Sequence, residues 1–130
     1  MLKITYLDSG LLLERLSQPV EALVAQHSTF ATRLGHSLSI QPAFASILLL
    51  RHLPNLEDLL TSLRALPEVQ IEVCDSLFLE ISLPGTWITE TPTCENGIFA
   101  TRLEVALERQ LVQAWRQSQA WTTQEAGLLS

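Results

Sequence analysis

Positive charge is scarce in this chain. Its 130 residues hold 8 Lys and Arg against 14 Asp and Glu, Lys3 is the single lysine, and the net charge is −6. Neutralising nucleic-acid phosphates takes clustered cations, so nucleic-acid binding is excluded as an expectation, and an anionic membrane surface falls with it. A basic or a neutral apolar partner suits this field better. Cysteine is equally sparse. Cys74 and Cys94 show no CxxC spacing and no neighbouring histidine, which excludes a disulfide framework and a zinc site. Each is followed by a carboxylate, Asp75 or Glu95, and that opposes the lowered pKa a nucleophilic thiol needs. A regulatory disulfide between the two is the remaining role.

Glycine numbers only five, and GxGxxG, GxxxxGK and GxSxG are all missing, so no phosphate-cradling loop or nucleophile elbow is expected. The three histidines, His27, His36 and His52, form no HxH, HxxxH or HExxH pattern. His36 and His52 would approach one another if they opened and closed one hairpin, and His27 reads as a histidine at the edge of a helix core. The carboxylate pairs Glu57 with Asp58 and Glu72 with Glu80 read as solvated, since acid–base chemistry needs them in a water-poor cleft with separated pKa values. The expectation is therefore no metal, no cofactor and no catalysis. Apolar runs are short, as at Ile47 to Leu50, far from the roughly 20 residues that cross a bilayer. The opening MLKITYLDSG does not read as a signal peptide. These absences together predict a soluble, cytoplasmic protein.

What the chain does have is apolar side chains: 47% of residues are hydrophobic and only 17% charged. That argues against disorder. It also predicts that some apolar surface is hidden against another chain, with a homodimer as the expected partner arrangement. Length fits one domain, placed at 1–121, followed by a flexible tail at 122–130.

The strongest structural signal is VQIEVCDSLFLEISLPGTWITE, residues 69 to 90. Val69, Ile71 and Val73 alternate toward one side, as do Leu77, Leu79, Ile81 and Leu83, while Gln70, Glu72, Glu80 and Ser82 take the other. A half-buried hairpin turning at Asp75-Ser76 follows. Pro84-Gly85 reads as a second turn, after which Thr86 to Thr91 should fold back. Upstream, Leu2 to Leu7 and Leu11 to Leu16 flank Asp8-Ser9-Gly10 as a first hairpin. Ser17 as N-cap, Pro19 in the first turn and Gly35 at C′ bracket a helix whose stripe is Val20, Leu23, Val24, His27, Ala31 and Leu34. Residues 36 to 50 read as another hairpin interrupted at Gln41-Pro42. A short helix capped by Asn55 buries Leu56, Leu59, Leu60 and Leu63 and ends at Pro67. The loop at residues 91 to 97 precedes a strand near Ile98 to Ala100. A last helix, capped by Thr101 with Glu104, runs to about Trp121 on a face of Leu103, Leu107, Leu111, Ala114, Trp115 and Ser118.

The resulting class is α+β: an antiparallel sheet of hairpins with about three helices packed on one face, in the order ββαββαβββα. Trp87, Trp115 and Trp121 form the candidate interaction surface, because tryptophan is enriched among interface anchors, with core filling as the competing reading. Two functions follow. The first is a non-enzymatic protein interaction or assembly module. The alternative is a small apolar-ligand binding domain, with a pocket between sheet and helices near Trp87 and the 91 to 97 loop. The stretches ITYLDSGLLLERL (4 to 16) and SLPGTWITE (82 to 90) resemble a small cyanobacterial protein family without assigned function. That resemblance implies a soluble, cytoplasmic single-domain protein and no chemistry.

Overall fold

The computed structural model describes residues 1–7, 10–91 and 97–129, with side chains as far as residue 120 except that of Thr91. The chain folds as β1 (Leu2–Leu7), β2 (Gly10–Arg15), α1 (Val20–Arg33), β3 (Ser37–Leu50), α2 (Leu56–Arg64), β4 (Gln70–Val73), β5 (Phe78–Thr91), β6 (Gly97–Thr101) and α3 (Val105–Leu129). The expected α+β class and the antiparallel sheet are both present. Strand order is β2-β1-β6-β5-β3, with β4 also pairing to β5. β5 is therefore the spine of the sheet. Its whole length pairs with β3, and its other side is shared by β4 at residues 79–82 and β6 at residues 86–89.

Two expected turns turn out to be strand interior, and both contain proline. Pro42 lies within β3 and Pro84 within β5. The register is uniform from Ser37↔Thr91 to Leu50↔Phe78, so backbone direction alternates along both strands without a bulge. The N–H of Leu50 points away from β5, to Ser118 Oγ at 3.0 Å, which makes every even position of β3 outward-facing. Pro42 is one of these and costs the ladder nothing. Even positions of β5 face β4 and β6, and Pro84 falls in the gap between those two strands. There its carbonyl accepts the hydroxyl of Thr101 at 2.8 Å. Gly85 is required by the same crowding: a Cβ there would lie 2.4 Å from Phe99 Cζ and 2.5 Å from the Ala100 carbonyl. Residues 37 to 50 are thus one strand, and 86 to 91 extend β5 instead of folding back.

The main core lies between one sheet face and two helices. Leu2, Ile4, Leu13, Ala45, Ile47, Leu49, Leu79, Ile81, Leu83 and Phe99 meet Leu56, Leu59, Leu60 and Leu63 of α2 and Leu107, Leu111, Val112 and Ala114 of α3. The buried side of α2 is the leucine stripe its periodicity predicts. A smaller core, containing Met1, Leu23, Ile88 and Ala100 with Val20, Val24, Leu38 and Ile98, sits on the opposite face. Ile98 and Ala100 flank Phe99 in one strand and so must point the other way. This corrects the expected packing of all three helices on one face: α1 covers the reverse side. The cause is local: beside the main-core residue Phe99, β5 and β6 carry Ile88, Ile98 and Ala100 on the reverse side, and that patch needs a cover of its own.

The helix termini follow sequence with small differences. Gly35 takes φ +73° after the last turn of α1, as a C′ glycine does. The N-cap of α1 is Pro19, not Ser17, and Asn55 caps α2 in the left-handed region without a side-chain bond. Thr101 closes β6, and Glu108 fills the capping role at α3 by accepting the Leu103 N–H at 3.0 Å. α3 is helical to Leu129, beyond the Trp121 expected as its end.

Candidate functional site

The reverse face of the sheet is covered at one end only. A strand of 14 residues such as β3 spans about 45 Å, whereas the 14 residues of α1 make a helix of about 21 Å. α1 packs over Leu38, Ile88, Ile98 and Ala100, and the rest of that face of β3 is left open. Alternation then places Ile40, Phe44 and Leu48 in the open, at 48%, 66% and 47% exposure, while the neighbouring Ala45, Ile47 and Leu49 are fully buried. Across the ladder Phe44 lies beside Pro84, Ser46 beside Ser82 and Leu48 beside Glu80, which in turn neighbours Glu72. The two serine hydroxyls are 3.1 Å apart. The arrangement is an apolar stripe with an acidic border.

β3 is also an edge. Among the described residues its one strand partner is β5, and residues 37–50 contain no charged side chain and no histidine. Natural edge strands are guarded by charge, a bulge or proline, and beyond Pro42 this one has none of these, so residues 43–49 are left open.

The tryptophans lie elsewhere. Trp87 packs edge-on against Tyr6, ring centroids 5.0 Å apart, and covers Gly97 so closely that a Cβ would fall 2.1 Å from its ring. Trp115 is half-buried against the main core. The side chain of Trp121 lies outside the described residues. Residues 92–96, including Cys94 and most of the 91 to 97 loop, are likewise outside, as is the Cys74 and Cys94 pairing.

Other candidate groups are dispersed. His36 pairs with Glu90 at the start of β3, and His52 follows the end of that strand, so their expected approach is replaced by the strand's full length between them. His27 is half-buried on α1, and burial first, then Lys3, lowers its pKa against the opposing pull of Glu90. Cys74 is an exposed free thiol, and partial desolvation together with Glu80, Asp75 and Glu72 pushes its pKa up, away from nucleophilic character. Among the described residues no group of three or more His, Cys, Asp and Glu is arranged to hold a metal. Among the described residues no helix is long and apolar enough to cross a membrane.

The deepest charge is structural. Glu108 is fully buried, with Oε1 3.4 Å from the Met1 ammonium and 3.3 Å from Arg15 Nε. Arg15 Nε is close enough for attraction but not aligned as a hydrogen bond. The Met1 ammonium itself donates to the Leu16 carbonyl at 2.7 Å. This cluster ties α3 to the β1–β2 hairpin.

The apolar stripe had a signal in the sequence, namely the uncharged run 37–50. Reading a hairpin into that run split its alternation and hid Ile40, Phe44 and Leu48 from view as one row.

No curated protein and no solved structure matches this chain. The profile of the Alr0857-like family covers residues 1–119, from the buried start of β1 through the Ser118 that holds the end of β3, and the chain belongs to that family.

Proposed function

We propose that this protein is a non-enzymatic interaction or assembly module acting through the uncovered face of β3. One observation carries the reading: Ile40, Phe44 and Leu48, large apolar side chains in one row of an edge strand, are each about half exposed or more. An open stripe suits a macromolecular surface better than a small ligand, which is bound in an enclosed cleft that removes most of its surface from water. The acidic border of Glu72 and Glu80 limits which partners can approach and in what orientation. A reducing, cytoplasmic setting accords with the exposed thiol of Cys74.

The test is affinity purification of the native protein beside a variant carrying Ile40→Ser, Phe44→Ser and Leu48→Ser. A species that copurifies with the wild type, further copies of this chain included, should be lost from the variant. Identical recoveries from both would overturn the reading.

A further inference from the structure

The geometry points to a second copy of this chain as the occupant of the open edge, β3 joined antiparallel to β3 across a two-fold axis at Ser46. This inference rests on β3 being the interaction surface and names its partner. Outward N–H groups occur at Phe44, Ser46 and Leu48 and fail at the flanking positions on both sides. Pro42 has no N–H, and that of Leu50 is already given to Ser118 Oγ. The donor window is therefore the same read from either end, which is the condition an isologous antiparallel pair must meet.

In this register Ser46 opposes Ser46 of the other copy, and Phe44 opposes Leu48. The ladder stops where Pro42 meets Leu50, so no free N–H is stranded in the pair. Residues directly opposed across an antiparallel ladder share a face, so Phe44 and Leu48 of both copies merge into one stripe on the uncovered side. Charge opposes self-association least at this strip: each copy carries −6, and the repulsion between two copies is smallest where neither presents a carboxylate, as along residues 37–50. A basic partner would be drawn instead toward Glu72 and Glu80.

A single introduced cysteine reads out the register. In a Cys74→Ser, Cys94→Ser background, Ser46→Cys should be joined into a covalent dimer by a short bis-maleimide linker, because opposed Cα atoms in a hydrogen-bonded pair lie about 5.5 Å apart. Gln41→Cys, exposed on the same strand, should not. Light scattering should find a wild-type dimer, and Ser46→Pro should raise its dissociation constant at least roughly tenfold. The circular dichroism spectrum of Ser46→Pro should stay unchanged, since the lost N–H points away from β5 as at Pro42. A wild type that stays monomeric, or a dimer that Ser46→Pro leaves intact and Ser46→Cys fails to bridge, overturns the inference. A monomer that still captures another protein through Ile40, Phe44 and Leu48 overturns the self-pairing while the interaction reading stands.

Discussion

The two sides of β3 make a controlled comparison, because they share one backbone and both carry large apolar side chains. Ala45, Ile47 and Leu49 are sealed beneath α2 and α3, while Ile40, Phe44 and Leu48 face out. Side-chain chemistry did not decide this. Cover did: α3 runs 25 residues across the buried side, whereas α1 on the reverse side is only 14 residues long. An apolar residue in a strand is therefore core only when a helix of sufficient reach is attached on its side.

The covered side should break first where it holds charge. Glu108→Ala would leave the Met1 ammonium and Arg15 facing each other in a buried site, and removing one member of such a set costs about 3–5 kcal/mol. A urea titration should find this the largest loss among the variants considered. Stability unchanged within about 1 kcal/mol would mean the cluster is not buried as described.

The sharpest version of the comparison uses two neighbours. Ile47→Ala should cost about 2–5 kcal/mol, since the site is closed on all sides and a cavity remains. Leu48→Ala, one residue on, should change monomer stability by no more than about 0.5 kcal/mol. Equal effects would show that the reverse face is covered in solution, and a loss at Leu48 that grows with protein concentration would locate that cover in the dimer.

Gly85→Ala comes next. The added methyl would press on the Phe99 ring and on the Ala100 backbone, and only the ring can give, so a cost of about 1–3 kcal/mol is expected by the same titration.

Much of this plan was legible in the residues, and the reasons are local. The leucine stripe of α2, Gly35 beyond α1 and the alternation at Leu79, Ile81 and Leu83 each need only their own periodicity or φ preference to be read. Pro42 and Pro84 could not be read that way. Whether a proline breaks a strand depends on which neighbour its missing N–H would have met, and that is a property of the assembled sheet. The open stripe was lost with them, because a hairpin at Pro42 would have put Ile40 and Phe44 on separate strands. Covering of both faces was hidden for a related reason: Ile88, Ile98 and Ala100 become one patch only after β5 and β6 pair.

The difference between the two sides finally depends on register, and at the β4–β5 hairpin register is set by Asp75. A slip of one residue would exchange Ile81 for Ser82 in the core. The carboxylate Oδ1 accepts the N–H of Leu77 at 2.7 Å and of Phe78 at 2.9 Å, while Arg51 holds the Asp75 carbonyl at 2.9 Å. The two backbone donors, and then Arg51, lower its pKa below the ordinary carboxylate value. A depressed folded-state pKa contributes stability that is present above the unfolded value and is lost as pH falls through the folded one. Asp75→Asn keeps an oxygen acceptor and removes the charge, so its urea midpoint should lie slightly below the wild type's near neutrality. The gap should close as the pH falls below about 4. Because the side chain is exposed, this is the smallest of the expected effects. A gap that persists unchanged at low pH would assign the turn's role to hydrogen-bond geometry alone, leaving charge no part in keeping Ile81 inward and Ser82 out.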